Sequence, residues 1–190
     1  MEGPDPLKLY VASSWRNARQ PTVVAELREA GHEVYDFRHP APGNEGFHWS
    51  EIDPAWKTWT PEQYREALGH PVADRGFELD LQGMVESDAC VLVMPCGRSA
   101  HLEAGWFAGL GRPVVVLLDE AFEPELMYKL TASVCLSMEE VLRILALFQC
   151  RVCGCTDARA CPGGCGWVEP GLCSSCAIEQ PAELLVVGRG

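Results

Sequence analysis

Nowhere in the 190 residues does an apolar run approach the ~20 needed to span a bilayer, and the start, MEGPDPLKLY, lacks a basic segment followed by a hydrophobic one. No membrane span and no secretory leader are therefore expected, and the cytoplasm is the expected compartment. Positive charge is also scarce. Lys and Arg number 15 against 27 Asp and Glu, a formal net charge of -12. Most of such a surface repels phosphate backbones and anionic lipid, so neither nucleic acid nor membrane is an expected partner. Internal repeats and low-complexity tracts are missing as well. With 47% apolar and 22% charged residues, the composition is that of an ordinary globular protein.

Cysteine is sparse for most of the chain and then dense. Only Cys90, Cys96 and Cys135 precede residue 150, each in an apolar, strand-like run, while the other seven of the ten crowd into Cys150 to Cys176. An even scatter would suit a disulfide scaffold; this clustering favours metal ligation.

Five short apolar runs punctuate the first part: LKLYVAS (7–13), HEVYDF (32–37), ACVLVMPC (89–96), PVVVLLD (113–119) and SVCLS (133–137). Helical patterns lie between them near 18–30, 61–86, 99–110 and 138–148. Continuous apolar strands alternating with helices predict an α/β fold, a doubly wound five-stranded parallel sheet of the Rossmann or flavodoxin-like kind, followed by a small C-terminal metal-binding module. The expected divisions are 1–148 for the α/β domain, 149–180 for the module and 181–190 for a tail. In the last helix, MEEVLRILALF places Val141, Leu142, Leu145 and Leu147 on an apolar face, with Ser137 as N-cap. Between Pro40 and Thr60 the pattern breaks into a proline- and glycine-containing segment with Phe47, Trp49, Trp56 and Trp59. Its aromatics fit either a substrate wall or an anchor on a neighbouring subunit.

Ligands of open parallel sheets bind beyond the carboxyl ends of the strands, which directs attention to Ser13–Asn17 and Gly97–His101. The second turn opens a helix whose free N–H groups suit a phosphate or carboxylate. Glu103 lies one turn into that helix, beside a small-residue face of Ala100, Ala104 and Ala108. Asp80 shares helical spacing with Phe77, Leu81 and Met84, and a carboxylate on such a stripe is costly unless it is paired or used. Asp88, just before the central strand, could reach the same cleft or cap the turn, and capping is the preferred reading. Two carboxylates over one cleft, one attacking and one handling a proton, are what glycosidic bond chemistry needs.

The ordered set LYVASSWRN (9–17), FELDLQGMVESDACVLV (77–93) and GRSAHLEAGWFAGLGRPVVVL (97–117) resembles the nucleoside 2-deoxyribosyltransferase family and its relatives that hydrolyse the N-glycosidic bond of nucleoside 5′-monophosphates. The resemblance spans roughly 9 to 120 and leaves Pro40 to Thr60 unmatched. It implies that Glu103 is the nucleophile forming a covalent glycosyl intermediate, that Asp80 protonates the departing base, and that Tyr10 orients Glu103. It further implies a homo-oligomer whose sites are completed by a neighbouring subunit. Gly97 stands where the family often carries an acidic residue or serine. Arg98, Ser99 and His101, with Ser13, Ser14 or Arg16, would then hold a 5′-phosphate, favouring a nucleotide over a nucleoside. A general base is a further reading for His101.

The tail, CRVCGCTDARACPGGCGWVEPGLCSSC, holds two C-x-x-C pairs, Cys150/Cys153 and Cys173/Cys176. This arrangement predicts a structural zinc ribbon, with Cys155, Cys161 and Cys165 left for a second site or for exchange with the first four; an iron–sulfur cluster is the rival. No organic cofactor is expected. Two functions from different classes follow: an enzyme that cleaves or exchanges the N-glycosidic bond of a nucleoside or nucleotide, or a non-catalytic nucleotide sensor signalling through the cysteine module.

Overall fold

The structure is a computed structural model that describes residues 6–121 and 123–179. The chain divides into two compact units, Pro6–Ile144 and a second beginning at Leu145. The tail expected at 181–190 lies outside the described residues.

In the first unit, β1 (Lys8–Ala12), β2 (Glu33–Tyr35), β3 (Ala89–Val93), β4 (Val114–Leu117) and β5 (Ser133–Cys135) form one sheet in the order β2-β1-β3-β4-β5. Every pairing is parallel. All residues of β3 and β4 are buried, as expected of strands covered on both faces, and this is why their sequences are uninterrupted apolar runs. The chain steps from β1 outward to β2 and then returns to β3 on the other side of β1. That reversal opens a crevice beyond the ends of β1 and β3, where an open α/β sheet takes its ligands.

The helices are α1 (Gln20–Glu29), α2 (Pro61–Ala67), α3 (Pro71–Glu86), α4 (Arg98–Gly109) and α5 (Met138–Leu145). The single helix expected over 61–86 is thus two. Proline at residue 71 would strip a hydrogen bond from a continuous helix and clash with the preceding turn, so the chain restarts there, with the His70 side chain accepting the Val72 N–H. Ser137 caps α5 through the Glu140 N–H, and Val141 is buried, whereas Leu147 falls in a following 3-10 turn and is exposed.

A second difference concerns which face of α3 is buried. Phe77 is 65% exposed, and the face turned inward carries Ala73, Gly83 and Met84. Its smallest members set the distance of closest approach. A Cβ on Gly83 would lie 2.6 Å from the Tyr35 ring, and one on Gly76 2.8 Å from Phe47. Lack of side chain lets α3 sit directly on the end of β2, which brings Asp80 to the crevice. Arg112 fixes the far end of the helix by donating to the carbonyls of Met84, Val85 and Ser87. No helix among the described residues is long and apolar enough to cross a membrane.

The second unit has β6 (Trp167–Glu169) and β7 (Leu172–Cys173) as an antiparallel pair, followed by α6 (Ser174–Glu179). Its buried cluster is Cys150, Cys155, Leu172, Cys173 and Cys176, with Cys161, Cys165 and Ala177 packed against it. Sulfur replaces the aliphatic core that so short a segment cannot build.

Candidate functional site

Two helices and two strands converge on a pair of carboxyls. Tyr10 on β1 is directly opposite Tyr35 on β2, and their rings stack at 5.3 Å with 9° between planes. The Tyr35 hydroxyl donates to Asp80 Oδ1 at 2.9 Å. Tyr10 is fully buried against Phe107 of α4. Its hydroxyl is in no formed hydrogen bond among the described residues, yet it lies near enough to Glu103 to ease that carboxyl's ionisation.

Burial dominates the electrostatics. It lifts Asp80 to about 6, against the opposing hydrogen bond from Tyr35. Burial, followed by the neighbouring charge of Asp80, lifts Glu103 to about 7. Both tyrosine hydroxyls are pushed well above their usual range, by burial first and then by these carboxyls. Two carboxyls whose ionisation burial opposes, one of them also opposed by the charge of the other, are an electrostatic condition found at sites of acid–base chemistry.

Asp80 also borders a cavity of about 150 Å3. One wall is α3, with Val72, Arg75, Gly76 and Leu79; the other is the Pro40–Thr60 segment, with Asn44, Gly46, Phe47 and Glu51. The tryptophan-rich segment folds onto its own unit. Trp15 packs on Phe37 and His48, Trp49 on Phe47, Trp59 and Tyr64, and the Trp59 indole N–H donates to Asp53 at 2.6 Å. Gly46 has φ +74°, and any Cβ there would strike the Phe37 carbonyl and the Trp15 ring, so only glycine lets the segment close this tightly.

The anion-binding candidates fall into two groups. Gly97, Arg98 and Ser99 are exposed at the start of α4, where Gly97 supplies no side-chain cap and leaves the first-turn N–H groups uncovered. Arg16 is exposed on the opposing turn, and the Ser14 hydroxyl accepts the Arg16 N–H. Ser13 is engaged internally: its hydroxyl donates to the Val93 carbonyl and accepts from Asn17. His101 is likewise held, with Nδ1 2.9 Å from the Gly97 carbonyl and Nε2 3.0 Å from the Tyr128 hydroxyl. Asp88 sits at the other end of the sheet, accepting the Lys8 N–H at the amino end of β1, as expected of a cap.

Sequence reasoning passes over Tyr35 and Arg38 and gives Asn17, at the end of the first turn, no role of its own. Tyr35 holds Asp80. Asn17, buried, shares its two Nδ2 hydrogens among the carbonyls of Val93, Met94 and Pro95 and the Ser13 hydroxyl, tying the turn after β1 to the turn after β3. Arg38 donates to the carbonyls of Ser14, Trp15 and Asn17 and braces the first turn from outside. An asparagine ending a strand-turn motif is the one available signal, since its side chain suits exposed carbonyls better than solvent.

In the second unit, Cys150, Cys153, Cys155 and Cys173 have their sulfurs within 4.8 Å of one another, as do Cys155, Cys161, Cys165 and Cys173. Either set can hold a metal ion. Cys176, expected as the fourth ligand of the first set, is in neither, although its thiol lies against Cys153, Cys173 and Cys150. The Cys173 thiol is drawn down to about 5, first by the Cys176 N–H. Neighbouring sulfurs stand 3.6 to 3.8 Å apart. A tetrahedral ion with metal–sulfur bonds of about 2.3 Å has sulfur–sulfur edges of about 3.8 Å, so the residues fit a zinc-sized ion.

No protein-family model and no curated protein sequence matches the chain. Among solved structures, a 2-deoxyribosyltransferase from Bacillus psychrosaccharolyticus is similar, with 20% identity over 70% of this chain and 88% of that one, and a TM-score of 0.44.

Proposed function

We propose that the α/β unit breaks or exchanges the N-glycosidic bond of a nucleoside or nucleoside 5′-monophosphate through a covalent intermediate on Glu103. The supporting observation is the buried carboxyl pair: Asp80 and Glu103, drawn from separate helices, are both raised by burial beside Tyr10 and Tyr35, and the charge of Asp80 adds to the rise of Glu103. In this reading the Glu103 carboxylate attacks the anomeric carbon, Asp80 gives its proton to the departing base, and water or a second base then releases the sugar. Tyr10 orients Glu103.

The proton must then rest on Asp80 and leave Glu103 ionised, and burial brings both carboxyls into the range where neutral pH allows this, at about 6 and about 7. A hydrogen bond from protonated Asp80 to a base nitrogen favours that arrangement. Substrate itself thus arms the pair. A 5′-phosphate fits the uncovered first turn of α4 with Arg98 and Ser99, opposite Ser14 and Arg16, while Ser13 and His101 shape the rims. The cavity beside Asp80 gives the base an aromatic wall in Phe47.

Self-association is part of this reading, supported by Phe77 and Val85 on α3 and Leu102 and Leu110 on α4, all exposed. The second unit serves as a structural zinc module, residues 149–180, separate from the chemistry. Incubation with a panel of nucleosides and 5′-monophosphates, with chromatography for free base and intact mass for a glycosylated chain, tests the proposal. Tight binding of a nucleotide with no base release would favour the sensor instead.

A further inference from the structure

The geometry points to a binuclear centre in the second unit: two divalent metal ions joined by the Cys173 sulfur. The inference is independent of the glycosidic reading. A single zinc ribbon would use four thiolates and leave three cysteines idle. Here none of the three stands apart. Cys155 is buried and lies 3.6 Å from Cys165, and Cys161 lies 3.6 Å from Cys153 and 3.8 Å from Cys173. The Cys155–Cys165 and Cys161–Cys173 separations match edges of a tetrahedral metal–thiolate site, about 3.8 Å, and the Cys153–Cys161 separation sets the two ligand groups side by side.

Two four-coordinate ions require eight coordination positions, and the segment Cys150 to Cys176 supplies seven thiols. One sulfur must be shared. Cys155 and Cys173 belong to both ligand sets, and of the two Cys173 lies 3.8 Å from Cys153 of the first set and 3.8 Å from Cys161 of the second. With Cys173 bridging, Cys150, Cys153 and Cys176 complete the first ion, and Cys155, Cys161 and Cys165 complete the second. Cys176, whose thiol lies against Cys153, Cys173 and Cys150, joins the first ion and leaves Cys155 to the second.

The backbone is shaped for such a cluster. Gly154, Gly163 and Gly164 all have positive φ, at 75°, 87° and 85°, and they bend the chain beside Cys153, Cys155, Cys161 and Cys165. The Gly154 N–H donates to the Cys150 carbonyl at 2.8 Å and the Gly164 N–H to the Cys161 carbonyl at 2.8 Å, closing one turn in each ligand group. Each bound thiol gives up its proton on ligation, so neither ion needs an oxidant or a further reactant.

The test uses the full chain, stripped of metal under reducing, oxygen-free conditions and titrated with Co(II). Sulfur-to-cobalt charge-transfer absorption should rise to two equivalents per chain. The high-spin EPR signal at two equivalents should fall short of that of two isolated ions, because a shared sulfur couples their spins. Protein purified without added metal should carry two zinc ions. Cys165→Ser, at a terminal ligand, should lower the stoichiometry from two to one and restore the full EPR intensity of the ion that remains. Saturation at one equivalent in the unaltered chain would overturn the inference, as would two equivalents with fully additive EPR signals, or a Cys165→Ser protein that still binds two.

Discussion

Tyr35 and Asp80, 45 residues apart in sequence, are joined by a 2.9 Å hydrogen bond from the end of β2 to the middle of α3. The bond favours the ionised carboxyl and so restrains the rise that burial imposes on Asp80. Tyr35→Phe removes that restraint. In the proposed reaction Asp80 acts protonated, so the descending, alkaline limb of kcat/KM should move up by about one pH unit while turnover below it persists. A pH–rate profile of the variant checks this; an unmoved limb would separate Tyr35 from the acid.

Glu103→Gln should reduce base release by roughly 10^4-fold or more, since the amide cannot attack. It should also stabilise the protein in alkali. Burial raises Glu103 from 4.5 to about 7, so the folded chain keeps a proton that the unfolded chain loses earlier. Stability therefore falls as pH climbs from about 4.5, and the loss is complete above about 7. The neutral amide avoids this loss, a gain on the order of 2 kcal/mol at pH 8 and nearly nothing at pH 4. Thermal melts at the two pH values measure the difference. Equal shifts at both would falsify the electrostatic account.

Gly83→Ala forces a methyl group against the Tyr35 ring, at 2.6 Å, and should cost about 1–3 kcal/mol while disturbing the hold on Asp80. Gly105 on α4 is the control. Nothing lies within 4 Å of its would-be Cβ, so Gly105→Ala should stabilise by about 0.5–1 kcal/mol. Denaturant unfolding of the two variants should give opposite signs.

Stripping metal should affect the units unequally. The second unit has a core of thiols and one leucine, so without metal it should become sensitive to protease between Cys150 and Cys176. The α/β unit should keep its circular dichroism and the proposed glycosidic activity. Cleavage mapped by mass spectrometry, with and without chelator, tests this; a protease-resistant tail in metal-free protein would contradict it.

The sheet was legible because buried parallel strands must be apolar throughout, and β3 and β4 could hardly be read otherwise. Asp80 draws notice in the sequence as a carboxyl on an apolar stripe and Glu103 as one beside the turn after β3, and burial raises both. The face of α3 was not legible. Periodicity points to the stripe with the large apolar side chain, Phe77, whereas the helix is seated through Gly76 and Gly83, where an absent side chain marks the contact. Tyr35 was hidden because its partner is distant in sequence, and local pattern carries no such pairing. In the tail, spacing showed that thiolates gather but not which of them share a centre, a question of three-dimensional separation.

Asn17 gives three successive carbonyls, those of Val93, Met94 and Pro95, a single common donor. Its own carboxamide oxygen accepts the Arg19 N–H, so the residue is spent in both directions. For protein engineering this makes the two rims one inheritable part. A loop transplanted from a relative onto either strand end would arrive without its counterpart and strand buried carbonyls, so specificity here is exchangeable only by moving both turns together.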